Sequence, residues 1–145
     1  GYPDLKDEIA IAKGRNNGVS VDSLQEVIDA RGLIAIKEEV SNVFVHNHVY
    51  AYIVKLVQAT RENPYVELGI SPRGTIACSR MAMAWAFLQG RDYCIPEDVE
   101  NVFRDVATHR IVMNTKARVA KIRREDVLTE ILGSVRQPAS FLERS

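Results

Sequence analysis

In Gly69-Ile70-Ser71-Pro72-Arg73-Gly74 a tight turn runs straight into a helix start, with an arginine in the first helical turn. Ser71 is a good N-cap, since its hydroxyl can accept an otherwise unpaired backbone N–H. Pro72 suits the first helical position, where no N–H is needed. Arg73 then extends a planar fork of donors from the helix end that attracts negative charge. This is how a chain presents a cation to a phosphate. A phosphate also needs a cradle, and the sequence has no G-x-x-x-x-G-K-[ST] loop. Its nearest approach, Gly14 to Gly18, lacks the lysine that would follow. The segment is therefore half of a site. The competing possibility is a structural arginine that pairs with a nearby carboxylate.

Other chemistry-bearing residues form weaker patterns. His46 and His48 flank Asn47 and could offer two imidazoles to a metal, but no third ligand stands at a suitable spacing, so no metal site is expected. Cys78 and His109 could be imagined as nucleophile and base, yet both fall in segments explained by packing and helix termination. Asp7-Glu8 and Glu38-Glu39 have the pattern of solvated helix faces. The segment Arg110 to Arg124 holds six basic residues and no acid, which makes it a surface for phosphate groups or an acidic partner, or else a solvated basic loop.

Composition narrows the classes. The chain has 145 residues, 46% hydrophobic and 26% charged, enough for one sizeable core and most simply one domain. Nineteen basic residues balance nineteen acidic ones, which argues against a general binder of nucleic acid or anionic membrane. Cys78 and Cys94 are too far apart for a C-x-x-C pair, and are expected as buried free thiols in a reducing cytoplasm. No apolar run approaches bilayer length and no signal peptide opens the chain. A start at Gly1, directly before a helix, suggests a piece of a longer protein.

Helical periodicity dominates, so the expected fold is a mainly α bundle of about five or six helices. Pro3 and Asp4 open a first helix to about Lys13, with Leu5, Ile9 and Ala12 on one face, ended by the cluster from Gly14 to Gly18. Asp29 caps a helix carrying Leu33, Ile36 and Val40. Val43 to Val45 is a short extended piece. Asn47 caps a helix to about Arg61, stopped by Asn63-Pro64, with Val49, Tyr52, Ile53 and Leu56 on its apolar face. The helix behind Ser71 runs to Gln89 with Gly90 as its left-handed stop. Its run from Met81 to Leu88 is apolar all round, which predicts a central helix with Trp85 buried. Pro96-Glu97-Asp98 opens a helix whose stripe is Val99, Val102, Phe103 and Val106. A last helix, about Glu125 to Val135, buries Val127, Leu128, Ile131 and Leu132. A frayed tail is expected at 138–145.

Taken together, these segments resemble the C-terminal lid of MoxR-type AAA+ ATPases. The resemblance rests on Gly69-Ile70-Ser71-Pro72-Arg73 and the apolar helix behind it, then Gly90-Arg91-Asp92-Tyr93, Pro96-Glu97-Asp98-Val99 and Thr108-His109-Arg110. Gly1-Tyr2-Pro3 is similar to that family's junction between core and lid. Tyr52-Ile53-Val54 through Ala59-Thr60-Arg61 is similar to its helix before the arginine turn, and Ile131 to Pro138 to its end. Two positions depart. Gly74 stands where the family commonly has alanine, and Ile95 where it has Ser or Thr, which gives the following helix a poorer cap.

The resemblance implies that residues 1–137 form a lid closing over ATP held by a core domain outside this chain. That core would supply the phosphate loop, the Mg2+-binding acids and an arginine finger. The lid would supply the arginine called sensor 2, which falls on Arg73, with Ser71, Pro72 and Arg73 as its nucleotide-binding residues. The whole would be a cytoplasmic ring, a hexamer, acting as a chaperone that remodels or matures protein complexes. Its partners would be its own core, the neighbouring subunits and often a protein with a von Willebrand factor A domain. The chain alone is expected neither to hydrolyse ATP nor to bind it tightly. Two other classes stand beside this one, a helical nucleic-acid-binding domain using Arg110 to Arg124 and a helical interaction module.

Overall fold

The computed structural model describes residues 2–16 and 24–138, and divides into two units, Gly1–Ala35 and Ile36–Ser145. Among the described residues it is mainly α, with seven α-helices, a 3-10 turn and four short strands. The expected tail beyond Pro138 lies outside the described residues.

The first unit holds helix α1 (Leu5–Asn16) and the opening of α2 (Ala30–Ser41). Asp4 caps α1, its carboxylate accepting the Asp7 N–H at 2.8 Å. The helix does not stop at Lys13 but runs on through Gly14, and Leu5, Ile9 and Ala12 are all exposed. Asp29 caps α2 as expected, its carboxylate accepting the Gly32 N–H at 2.6 Å.

The second unit contains the core. Strand β1 (Phe44–Val45) leads into α3 (Asn47–Glu62), and strand β2 (Val66–Leu68) into α4 (Pro72–Leu88). Strand β3 (Tyr93–Cys94) precedes α5 (Pro96–Ala107), which passes into the 3-10 turn Thr108–Arg110. Strand β4 (Val112–Met113), α6 (Thr115–Val119) and α7 (Arg124–Ser134) complete it. Parallel pairing joins β1 to β3 (Phe44 opposite Tyr93), and antiparallel pairing with a bulge joins β2 to β4 (Val66 opposite Met113). The α6 turn and the β2–β4 pair were not expected. A five-residue helix and strands of two and three residues carry too little periodicity to register in a pattern.

The apolar stripes of α3, α5 and α7 are buried where periodicity put them, from Tyr52 and Leu56 through Val99 and Phe103 to Leu128 and Ile131. Cap positions differ by a residue. His46, not Asn47, caps α3, its ring nitrogen accepting the His48 N–H at 3.2 Å.

Helix α4 corrects a larger expectation. It is not buried all round. Gly74, Cys78, Ala82 and Ala86 make its buried stripe at a spacing of four, while Trp85 is 36% and Leu88 74% exposed. Small residues on that ridge let α5 approach closely, so the alanines face inward and the bulky side chains are left at the flanks. The helix ends as expected, with Gly90 at φ +74°.

An ion pair missed in the sequence locks the entry to α5. Arg91 grips Asp98 through two bonds, 2.7 and 2.5 Å, and Asp98 also accepts the Ile95 N–H at 2.8 Å. That contact offsets the poor capping side chain of Ile95, because the carboxylate reaches back to the orphan N–H. Asp98 is 1% exposed, so Arg91→Ala leaves a buried carboxylate without its cation. Chemical denaturation should show a loss of about 2–4 kcal/mol, somewhat under the value for a fully buried pair because Arg91 still meets solvent. A loss below about 1 kcal/mol would place the pair among ordinary surface bridges.

Candidate functional site

The turn before Arg73 is held from both sides. Ile70 is buried between α3 and α4. Its N–H donates to Thr60 Oγ1 at 3.0 Å, and its carbonyl accepts the Arg61 Nε–H at 2.9 Å. Thr60 is itself fully buried, and its hydroxyl donates to the Val57 carbonyl at 2.6 Å. The preceding Gly69 lies directly on α3, where an added Cβ would meet Arg61 Cγ, Cα and N at 2.6, 2.7 and 2.8 Å. On the α4 side, a Cβ on Gly74 would clash with Ile70 Cγ2 and come within 3.2 Å of Arg110 Cδ. Glycine at 74, in place of the alanine of the resemblance, is what lets the Ile70 side chain sit under the first turn of α4.

Ser71, Pro72 and Arg73 all stand exposed on this fixed base. Ser71 is the N-cap residue, but its hydroxyl makes no capping bond. The Gly74 and Thr75 N–H groups bond its carbonyl instead, at 2.8 and 3.2 Å. Among the described residues, the Arg73 side chain has neither an ion-pair nor a hydrogen-bond partner, so the structural pairing weighed against it is not found.

Other arginines of the second unit are committed elsewhere. Arg61 holds Ile70, Arg91 holds Asp98, and Arg110 folds back to donate to the Val106 carbonyl at 2.5 Å. Arg123 pairs with Asp126 at 2.7 Å, and that contact draws the Asp126 pKa below the ordinary carboxylate range. Five of the six cations in the basic segment from Arg110 to Arg124 are exposed. Arg110 is turned inward and Arg123 is neutralised. Lys116, Arg118, Lys121 and Arg124 stay exposed, without an ion-pair partner among the described residues, along α6, the turn after it and the start of α7.

Sequence reading gave Thr60 and Arg61 no part in the site. The available signal was Thr60 itself, which continues the buried face of Ile53 and Leu56. A hydroxyl on an apolar stripe needs a partner, and here the partner is the arginine turn.

A family model described as the AAA lid domain matches residues 58–131, which takes in the end of α3, the arginine turn and most of α7. The chain is 35% identical over 138 residues to the uncharacterized protein YeaC of Bacillus subtilis, covering 95% of this chain and 43% of that protein. It is 32% identical over 147 residues to the chaperone MoxR1 of Mycobacterium tuberculosis, covering 95% of this chain and 38% of that one. The fold matches the crystal structure of a "putative ATPase" from Cytophaga hutchinsonii with a TM-score of 0.81 at 28% identity, over 95% of this chain and 44% of that chain. The chain spans less than half the length of the relatives it matches.

The remaining candidates have structural settings. His46 and His48 stack with ring centroids 4.8 Å apart, and no group of three metal-ligating side chains occurs among the described residues. His109 meets the Arg110 guanidinium through a ring nitrogen. Cys78 and Cys94 are free and buried, and burial pushes each thiol up to about 12. A thiol held neutral is a poor nucleophile. Because the folded values lie above the ordinary 9.0, the stabilisation is complete below that pH and is lost as pH rises from there toward about 12. With Ellman's reagent at about pH 8, the native protein should release almost no colour and the unfolded chain that of both thiols. Fast reaction of the native protein would contradict this assignment.

Proposed function

Since this chain belongs to the AAA lid domain family, as a lid of the MoxR type, we propose that Ser71-Pro72-Arg73 is the sensor 2 element of an AAA+ ATPase. On this reading residues 1–137 form the lid, and Arg73 meets the γ-phosphate of ATP bound by a core domain that this chain does not include. The observation that carries it is the state of Arg73. It is exposed in the first turn of a 17-residue helix, on a turn fixed from two sides, without a partner among the described residues.

The fit to a phosphate is chemical. A guanidinium offers a planar fork to phosphate oxygens, the helix N-terminus adds a favourable partial charge, and the Ser71 hydroxyl is left for a ligand. Mg2+ does not fit this chain in the same way. The described residues offer no cluster of three ligating side chains, so the metal and the phosphate cradle are assigned to the core domain. An arginine that touches the γ-phosphate makes different contacts to ATP and ADP, which lets the lid move with nucleotide state. Ring assembly as a hexamer, remodelling of protein complexes and a von Willebrand factor A domain partner come with this reading through the family resemblance, and the relative MoxR1 is described as a chaperone.

Steady-state kinetics on the full-length ATPase tests it. Arg73→Ala should lower kcat more than it raises KM, since the contact belongs chiefly to the transition state. The expected cost is about 2–4 kcal/mol of barrier. Arg73→Lys should recover only part of it, because a point charge does not reproduce the fork. Thermal stability should be unchanged. Wild-type turnover with lowered stability would return Arg73 to a structural role.

A further inference from the structure

We propose that Thr60 and Arg61 are positioning residues for Arg73, acting through the backbone of Ile70; the proposal rests on the sensor 2 reading above. Both polar backbone groups of Ile70 are taken by consecutive residues of α3, the N–H by Thr60 Oγ1 at 3.0 Å and the carbonyl by Arg61 Nε at 2.9 Å. Thr60 cannot swing to follow a moving turn. Its hydroxyl is buried and its own proton is committed to Val57 at 2.6 Å. Gly69 closes the same contact sterically, since no Cβ fits between it and Arg61.

The constraint continues into α4. The Ile70 side chain fills the space beneath the first helical turn that a Cβ on Gly74 would occupy. Arg73 lies three residues beyond Ile70 and one before Gly74. A shift of Ile70 along α3 is therefore passed to the base from which Arg73 extends. Arg61, an exposed cation, is spent on a backbone carbonyl instead of a carboxylate, which makes sense as a device that aims the turn. Misplacement of a catalytic group by about 1 Å can cost about a hundredfold in rate. Loss of one of two braces should cost less.

The test is a double-mutant cycle in the full-length ATPase, with ATP turnover and thermal melting measured on the same preparations. Arg61→Ala should lower kcat by about tenfold with KM little changed and melting close to wild type. Combined with Arg73→Ala it should add almost nothing, because it acts only through the arginine already removed. Thr60→Val should lower kcat as Arg61→Ala does, with a lower melting temperature because the buried Ile70 N–H loses its acceptor. Thr60→Ser keeps the hydroxyl and should retain most of what valine loses. Gly69→Ala should reproduce the defect from the opposite side of the contact. Wild-type kcat in Arg61→Ala would overturn the proposal, as would a loss that multiplies in full with that of Arg73→Ala. Wild-type turnover in Arg73→Ala marks a different failure, that of the sensor 2 reading itself, and the positioning role falls with it.

Discussion

The backbone of Ile70 gives its N–H to the Thr60 hydroxyl and takes the Arg61 Nε–H on its carbonyl, and these two bonds decide where the helix carrying Arg73 begins. A loop between two helices would ordinarily be free to shift by an ångström or more. Here the loop is pinned to α3 by hydrogen bonds, by the close approach of Gly69 and by the burial of Ile70, and pinned to α4 by the space left at Gly74. The exposed residues that follow inherit that fixity. Preorganisation of this kind is what an electrostatic contact in a transition state requires, since a donor that must first be ordered spends its binding energy on ordering.

The rest of the second unit supports the same corner. Small residues along α4 bring α5 close, and the Arg91–Asp98 pair fixes the start of α5. The 3-10 turn after α5 then delivers Arg110 beneath Gly74, with its guanidinium on the Val106 carbonyl. Pairing of β2 with β4, extended by Asn114 bonding the Pro64 and Tyr65 carbonyls, ties that segment to the loop leading into Gly69. Three arginines around α4 hold protein groups. Arg73 and Arg80, both exposed on α4, hold none among the described residues, and of the two only Arg73 stands in the first helical turn.

Much of this was legible in the residues. The stripes of α3, α5 and α7 showed because their periodicity is long and regular, and the arginine turn showed because Ser, Pro and Gly mark helix ends by backbone chemistry. Trp85 was misplaced because periodicity fails where every residue is apolar. In α4 the inward face is chosen by size, and alanine wins where a neighbouring helix must come close. Arg91 with Asp98, and Arg61 with Ile70, went unseen because the pairings depend on how turns fold back, which no local pattern encodes. Ser71 marked the helix start correctly, yet its hydroxyl makes no capping bond.

The most direct measurement of the central claim is a structure of the full-length protein with Mg2+ and a transition-state analogue of ATP. The Arg73 guanidinium should lie about 2.7–2.9 Å from an oxygen of the γ-phosphate mimic, the range of a charge-assisted hydrogen bond. Thr60 and Arg61 should still hold Ile70 in that state. An Arg73 paired with a carboxylate of the core, or left in solvent while another residue contacts the phosphate, would contradict the account.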